Sequence, residues 1–174
     1  VVALSEYVDA ILVINNEKLK NIFPDLNLSN AFAKADDVLT NAAKAIAEII
    51  TISGYINIDF ADVSTIMRDG KVAIMNTGYA SGDNRITRAI DDALTSPLLN
   101  TSDVKGAKKV LLSLYCSHSN EIKMEEITQI HDFMAKVGED VTVIWGASFD
   151  DELGDDVKIT LIATGFDVKD IPGM

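Results

Sequence analysis

The sequence predicts an α/β (α+β) fold in which a long central helix precedes a mixed four-stranded sheet packed with helices. Between residues 29 and 54, apolar residues recur at three- and four-residue steps for about five turns, which indicates the helix. After residue 68, four apolar segments of strand length are interleaved with two amphipathic segments of helix length. Hydrophobic residues make up 48% of the 174 residues, which excludes a disordered chain. Elements in this order pack as helices against one sheet.

The first element is a continuous apolar run at residues 8–14, the pattern of a strand covered on both faces. Residues 15–23 predict a short helix that Pro24 ends. No partner strand is found upstream of residues 8–14. We therefore expect this strand to have open edges that favour pairing with another copy of the chain.

The central helix follows. Ser29 or Asn30 suits its N-cap, and Gly54 suits its end. Its apolar stripe is wide, because the neighbours of the periodic positions are often apolar too. A stripe of this width predicts burial on most of the circumference, as in a helix clamped between two layers or two domains.

The segment after Gly54 is acidic and contains Asn57, Asp59 and Asp62. Asp59 suits the N-cap of a helix over residues 60–67, and Asp62 favours the positive end of that helix dipole, so both carboxylates could be purely structural. Alternatively, the two carboxylates and the Asn57 amide could hold a water or a hydrated cation against a phosphate. Phe60 and Ala61 are apolar, so the loop is expected to pack on another part of the protein while its carboxylates stay outside.

The rest of the chain predicts strand, helix, strand, helix, strand and strand. Asp83 is the expected N-cap of the first of these helices. The acidic link at residues 148–156 has the composition of a hairpin loop. The predicted elements are strands at residues 72–77, 109–115, 141–147 and 157–163, and helices at residues 84–94 and 121–136.

Composition excludes several classes of function. The net charge of −12 would repel phosphate backbones, so nucleic acid is not an expected partner. The single cysteine, Cys116, cannot form an internal disulfide; a buried inert thiol is favoured over a reactive one. Cys116, His118 and His131 do not make a closed zinc site, so no structural metal is predicted. No apolar run or export signal suggests membrane insertion, which predicts a soluble cytoplasmic protein.

Several segments, taken in order, carry a family resemblance. They read VDAILVINNEKL, AFAKADDVL, GYINIDFADVSTIM, GYASGDNR, SPLL and ITLIATGF. Together they resemble the FtsZ family of tubulin-like GTPases over nearly the whole chain, and NxDFADV is the specific motif in that context. The resemblance implies a tubulin/FtsZ C-terminal domain-like fold, a head-to-tail homopolymer and a cytoplasmic location at the division septum.

The resemblance also implies roles for five residues. Asn57, Asp59 and Asp62 correspond to the synergy loop, which enters the nucleotide pocket of the next subunit and helps activate the attacking water. Phe32 corresponds to the residue that packs on guanine, and Asp36 to the one that hydrogen-bonds the edge of the base. From the residues alone, composition favours Phe32 as core and Asp36 as a solvated carboxylate, although residues four apart share a helix face and both could point at one flat base.

The resemblance divides the chain into four parts. Residues 1–28 are a remnant of the last strand and short helix of the GTP-binding domain, and residues 29–54 are the central connecting helix. Residues 55–67 are the synergy loop with its helix, and residues 68–174 are the C-terminal, GTPase-activating domain. The family also takes small-molecule inhibitors in the cleft between the central helix and this sheet.

The sequence has no Gly-rich phosphate loop, and its first residue, Val1, is not an initiator methionine, so we interpret the chain as a fragment. The full-length protein is expected to hydrolyse GTP with Mg²⁺, whereas the fragment alone is expected to be inactive and to hold no cofactor. Division-ring partners are expected to bind through a tail absent here. The alternative is a self-contained α/β binding or regulatory module that dimerises and has no catalysis.

Overall fold

The computed structural model describes residues 2–12, 25, 27–95, 106–138 and 140–166. Two short 3₁₀ turns, His118–Asn120 and Asp151–Leu153, accompany its helices and strands. In chain order the helices and strands are α1 (Val2–Ser5), β1 (Ala10–Leu12), α2 (Leu28–Thr51), β2 (Gly54–Ile56), α3 (Phe60–Met67), β3 (Lys71–Ser81), α4 (Arg85–Leu94), β4 (Lys109–Cys116), α5 (Met124–Val137), β5 (Thr142–Phe149) and β6 (Asp156–Phe166).

The strands form one mixed sheet in the order β1-β3-β6-β4-β5-β2. The β1–β3 and β4–β5 pairs are parallel, and the other pairs are antiparallel. The four predicted strands are the four inner ones, β3 to β6, and two strands of three residues each extend the sheet at its edges. The predicted α/β class with a mixed sheet packed with helices is confirmed.

β1 corrects one expectation. It pairs in parallel with β3, from Ala10 opposite Lys71 to Leu12 opposite Ala73, so this strand has a partner within the chain. The sequence shows no partner strand upstream of residues 8–14, and the partner found in the structure lies downstream of them. The free edge of β3 presents unpaired N–H and C=O groups, and β1 satisfies some of them. The helix predicted at residues 15–23 lies outside the described residues.

The connection from β5 to β6 is not a hairpin. β6 lies between β3 and β4 and pairs with both, whereas β5 lies beyond β4. Leu161 and Ile162 on β6 are both fully buried, although they point to opposite faces of the sheet. A strand that is apolar on both faces is most stable in the middle of a sheet covered on both sides, which explains its inner position.

Both faces of the sheet are covered. α4 and α5 cover one face, over a core that includes Ile86, Ile90, Leu112, Leu114, Ile130 and Leu161. α2 and α3 cover the other, over a core that includes Ala45, Ile49, Val63, Ile66, Leu111 and Ile162. Cys116 is buried in the first core, as predicted, and burial raises the pKa of its thiol.

The ends of α2 differ from the prediction. The N-cap is Asn27, because its Oδ1 accepts the N–H of Asn30 at 2.9 Å. The helix ends at Thr51, and Gly54 instead opens β2. A Cβ at residue 54 would lie 2.2 Å from the carbonyl oxygen of Ala147 on β5, so the glycine is required by this close approach between strands.

The predicted burial of α2 on most of its circumference is wrong for the described residues. Ala45 and Ile49 are buried, but Phe32, Leu39 and Ile50 are 50%, 58% and 36% exposed. The sheet contacts one side of the C-terminal half of the helix, and the described chain provides no second layer over the other side. Periodicity indicates which residues are apolar, but it does not show what covers them.

The starts of α4 and α5 also differ from prediction. Asn84, in the left-handed conformation with φ of 53°, replaces Asp83 as the N-cap of α4. Its side chain makes no cap, and Gln129 on α5 accepts the N–H of Thr87 at 3.0 Å instead. α5 begins at Met124, because the carboxylate of Glu126 accepts the N–H of Lys123 at 2.8 Å and thereby caps the first turn.

A buried ion pair joins these two helices. Arg85 is 3% exposed, and its Nε and Nη2 donate to the two carboxylate oxygens of Glu126 at 2.7 and 3.0 Å. Nη2 also donates to the carbonyl of Glu121 at 3.0 Å. Burial raises the pKa of Glu126, but the hydrogen bonds from Arg85 and from the backbone of Lys123 outweigh it and hold that pKa below its ordinary value.

Candidate functional site

The acidic loop, residues 57–62, comprises the connection from β2 to α3 and the first turn of α3. β2 is antiparallel to the end of β5, with Gly54 opposite Ser148 and Ile56 opposite Ala147. Ile58 is buried in the core beneath α2 and α3 and anchors the loop, whereas Phe60 is 69% exposed. The loop therefore packs on the core, as predicted, but it does so through Ile58 and not through Phe60.

Asp59 and Asp62 form a reciprocal cap at the start of α3. Oδ1 of Asp59 accepts the N–H of Asp62 at 3.0 Å, and Oδ2 of Asp62 accepts the N–H of Asp59 at 3.1 Å. The structural role predicted for these carboxylates is present. One oxygen of each carboxylate makes the cap. The other oxygen makes no hydrogen bond to any described residue, so it can accept one from a ligand or a water.

Asn57 stabilises the turn before the cap. Its Oδ1 accepts the N–H of Gly54 at 2.7 Å, which fixes the orientation of the amide because a backbone N–H requires an acceptor. Its NH₂ group makes no hydrogen bond within the described chain. Asn57 therefore presents donors at the loop, beside the acceptors of Asp59 and Asp62.

The far end of α3 is anchored to the sheet. Nζ of Lys109 donates to the carbonyls of Thr65 and Arg68 at 2.9 and 2.7 Å. Oγ1 of Thr164 donates to the carbonyl of Ile66 at 2.7 Å. These three carbonyls lie at or just after the end of the helix, where no intrahelical donor is available. The acidic loop is therefore held by a helix that is hydrogen-bonded at both ends.

An aromatic surface lies on the strand that pairs with β2. The ring of Phe149 stacks on His118 at 3.8 Å and meets the edge of Tyr55 at 5.0 Å. Oδ1 of Asp151 accepts the N–H of His118 at 2.8 Å, and this bond lowers the pKa of Asp151. The carboxylate of Glu121 accepts the hydroxyl of Tyr55 at 3.2 Å, and its charge raises the pKa of Tyr55. No local sequence pattern indicates this grouping, because its members are far apart in the chain.

Phe32 and Asp36 lie together near the other end of α2. They are four residues apart on one helix face, and both are exposed. The 15 residues from Asp36 to the end of the helix at Thr51 span roughly 22 Å. The structure therefore does not bring these two residues together with Asp59 and Asp62. Phe32 and Asp36 thus lie near the start of α2, whereas the acidic loop follows the other end of that helix, after β2.

A cleft of ≈ 260 Å³ lies between α2 and the sheet, where the family resemblance implies an inhibitor site. Glu48 and Lys158 are among its lining residues, so the cleft is not a purely apolar groove. Among the described residues, no group of three or more His, Cys, Asp and Glu side chains is placed to hold a metal ion. The helices that the structure describes include none with the length and hydropathy of a membrane span.

The comparisons with known proteins agree with this fold. Residues 71–167 match a family model described as the FtsZ family, C-terminal domain. The chain belongs to the FtsZ family. The cell-division protein FtsZ of Porphyromonas gingivalis is 50% identical over 161 residues, which are 92% of this chain and 35% of that protein. FtsZ 1 of Thermococcus kodakarensis is 39% identical over 163 residues, which are 93% of this chain and 43% of that protein.

Solved structures give the same result. An empty FtsZ dimer from M. jannaschii matches with a TM-score of 0.79 and 37% identity, over 93% of this chain and 47% of that one. A GDP-form protofilament of TubZ from Bacillus thuringiensis matches with a TM-score of 0.71 at 10% identity, which shows a shared fold only. The chain thus spans less than half the length of these FtsZ relatives.

A side-chain contact joins β3 to α4. Nδ2 of Asn76 on β3 donates to the carbonyl of Ala93 at the end of α4. Two residues on, Gly78 lies so close to α4 that a Cβ there would be 2.0 Å from the carbonyl oxygen of Ala89. Asn76 therefore adds a polar contact to a helix–strand interface that Gly78 keeps close. Both residues are remote in sequence from Asp59 and Asp62.

Proposed function

We propose that this chain is the C-terminal part of a filament-forming, tubulin-like GTPase of the bacterial division ring. In this proposal Asn57, Asp59 and Asp62 activate GTP hydrolysis on the neighbouring subunit of a head-to-tail filament. The supporting observation is the separation of the two candidate sites along α2, roughly 22 Å from Asp36 to Thr51. In a head-to-tail filament, one nucleotide can lie between the base site of one subunit and the acidic loop of another.

The geometry of the loop suits such a role. Each carboxylate uses one oxygen for the cap of α3 and presents the other, so the capping interaction and the chemistry do not compete. Asp59 is exposed, as a group that acts on another subunit must be. The Asn57 amide supplies donors that can contact a phosphate oxygen or a water.

The chemistry follows from charge. A carboxylate placed directly against the anionic γ-phosphate would be repelled, so Asp59 and Asp62 act by accepting a hydrogen bond from the attacking water or by holding a hydrated cation. Such a positioned base contributes about 10² to 10⁴ in rate. Mg²⁺ retains several of its waters and needs only one or two protein carboxylates, which these two side chains can supply.

The rest of the proposal follows the family. Residues 29–54 connect a GTP-binding part to the C-terminal domain at residues 68–174, Phe32 and Asp36 contact the guanine, and the assembled protein acts in the cytoplasm at the septum. The alternative hypothesis of a non-catalytic module predicts two features that are observed: a partner for β1 within the chain and a capping role for Asp59. Neither feature opposes catalysis, since the cap leaves one oxygen of each carboxylate available.

A hybrid protein tests the proposal: the N-terminal part of P. gingivalis FtsZ joined to this chain. Asp62→Asn retains an oxygen that can accept the N–H of Asp59, so the cap is kept and only the charge is lost. We expect sedimentable filaments with GTP but at least about a hundredfold slower phosphate release. Asp132→Asn, at an exposed carboxylate on α5, is the matched control and should hydrolyse normally. Normal turnover by Asp62→Asn would refute the proposal.

Mixing two inactive hybrids tests action between subunits. Asp62→Asn has an intact base site, and Asp36→Ala has an intact acidic loop. If the loop acts on a neighbouring subunit, the mixture should recover turnover that neither variant shows alone. A mixture no more active than the sum of its parts would mean that both residues serve the same subunit.

A further inference from the structure

The side chain of Lys158 on β6 contacts three other parts of the chain. Its side chain is 12% exposed, and its Nζ lies 3.3 Å from Oε2 of Glu48, in the last turn of α2. The same Nζ lies 3.6 Å from Oδ2 of Asp150, just after β5. It also lies 4.3 Å from the centre of the Tyr115 ring on β4. One ammonium group therefore contacts α2, β4 and the connection that follows β5.

Two of these contacts lie near β2, the strand that leads into the acidic loop. Glu48 belongs to the turn that ends α2, and its carbonyl accepts the N–H of Ile52 at 2.9 Å. β2 begins two residues later and pairs with Ser148 and Ala147, near the end of β5. The segment before β2 and the strand beside β2 are thus fixed to the same side chain. The acidic loop follows directly after β2.

The charges of Glu48 and Asp150 explain why a cation lies between them. The two carboxylates are only 22% and 28% exposed, so water screens their charges partially. Without a cation between them they would repel each other, which would weaken the contact between the end of α2 and the end of β5. Lys44 also pairs with Glu48, at 3.5 Å, but its side chain is 71% exposed and the pair contributes little.

Tyr115 provides the third contact of the Lys158 ammonium group. Its ring is 1% exposed, and burial raises the pKa of its hydroxyl, so the ring meets Lys158 in the neutral form. The face of an aromatic ring attracts an ammonium group, which restricts Nζ to the space between the two carboxylates. The position of Lys158 is therefore determined by contacts with three different parts of the chain.

We propose that Lys158 is a positioning residue for the acidic loop: by holding the end of α2 against the end of β5, it gives β2 and the Asp59–Asp62 turn one fixed orientation. This inference rests on the proposed function, because the orientation matters only if the loop acts on another subunit's nucleotide. Misplacing a catalytic group by about 1 Å can cost about 10²-fold in rate. Loss of Lys158 removes one of several restraints, so the expected loss is smaller, about tenfold.

The hybrid protein defined above tests this inference. Lys158→Met and Glu48→Gln should each lower kcat for GTP about tenfold, and the double variant should lose no more than either single one, because both remove the same contact. The KM for GTP and the sedimentable polymer should stay within about twofold of the parent. Lys44→Met, the same substitution at the other partner of Glu48, should change kcat by less than about twofold. Lys158→Arg should retain at least about half of the turnover.

Each outcome is decisive. If Lys158→Met turns over GTP like its parent while Asp62→Asn is inactive, the positioning role is refuted and the proposed function stands. If Asp62→Asn is active, the proposed function fails and so does this inference. If Lys158→Met and Glu48→Gln lose filaments together with turnover, or the double variant is about a hundredfold slower than its parent, the two residues act in folding or separately, which also overturns the proposal.

Discussion

Substitutions at Asp59 separate its capping role from its proposed chemical role. Asn is as good an N-cap as Asp, and its Oδ1 can accept the same N–H of Asp62 that Asp59 accepts at 3.0 Å. Asp59→Asn should therefore leave the free energy of unfolding of this chain nearly unchanged. Asp59→Ala loses the cap and should cost about 1 kcal/mol, which for a domain of this size lowers Tm by about 2 to 4 °C.

The two roles predict different orders among the variants. If the charge at Asp59 acts on a neighbouring subunit's nucleotide, Asp59→Asn and Asp59→Ala should both lower turnover of the hybrid by about 10² to 10⁴. If Asp59 is only a cap, turnover should follow stability, so Asp59→Asn should be normal and Asp59→Ala slightly impaired. Thermal unfolding followed by circular dichroism measures the stability of each variant, and phosphate release measures its turnover.

One result would refute the reasoning outright. An Asp59→Asn hybrid that hydrolyses GTP at the parent's rate would show that the carboxylate is not needed, whatever its stability. Asp132→Asn serves again as the control, because it removes one exposed negative charge from α5. A similar loss in that variant would mean that net charge or assembly, and not the acidic loop, determines the rate.

Two further predictions concern the fold. Gly78→Ala places a Cβ 2.0 Å from the carbonyl oxygen of Ala89 and should lower the free energy of unfolding, measured in urea, by about 3 kcal/mol. Gly82→Ala is the control: its Cβ meets nothing within 4 Å, and the φ of 76° alone should cost about 1 kcal/mol. A smaller loss for Gly78→Ala would mean that α4 can shift. The pKa of Glu126 is lowered in the folded chain, so the ionised carboxylate stabilises the fold fully above the unfolded pKa of about 4.3, and this stabilisation is lost as the pH falls below that value. Glu126→Gln leaves the buried Arg85 without its counter-charge and should cost about 3 kcal/mol in the free energy of unfolding at pH 7. The free energy of unfolding of this variant should also fall less steeply with decreasing pH. An unchanged acid slope would contradict the assignment.

Much of the fold could be predicted because its signals are local. The helix Phe60–Met67 was predicted with its bounds, since Asp59 and Asp62 specify its start within a single turn. The inner strands and their order along the chain followed from apolar segments of the right length. The residues of the acidic loop were recognised from one short motif, and their mutual cap involves residues only three apart.

Other features needed the tertiary structure. The sequence did not indicate that β6 lies between β3 and β4, or that Gly54 is required by contact with Ala147. Nor did it indicate that Ile58, and not Phe60, is the residue of the loop that packs inward. In each case the deciding neighbour is remote in the chain, so no local pattern contains it.

The sequence by itself determined the fold class, the family resemblance and the identity of the acidic loop. Those properties depend on periodicity and on residues within a few positions of each other. Only the tertiary structure decided that Lys158 joins Glu48 to Asp150. Distances and charge pairs of this kind depend on how separate segments pack, because strand order and helix placement bring together residues that are as much as 110 positions apart.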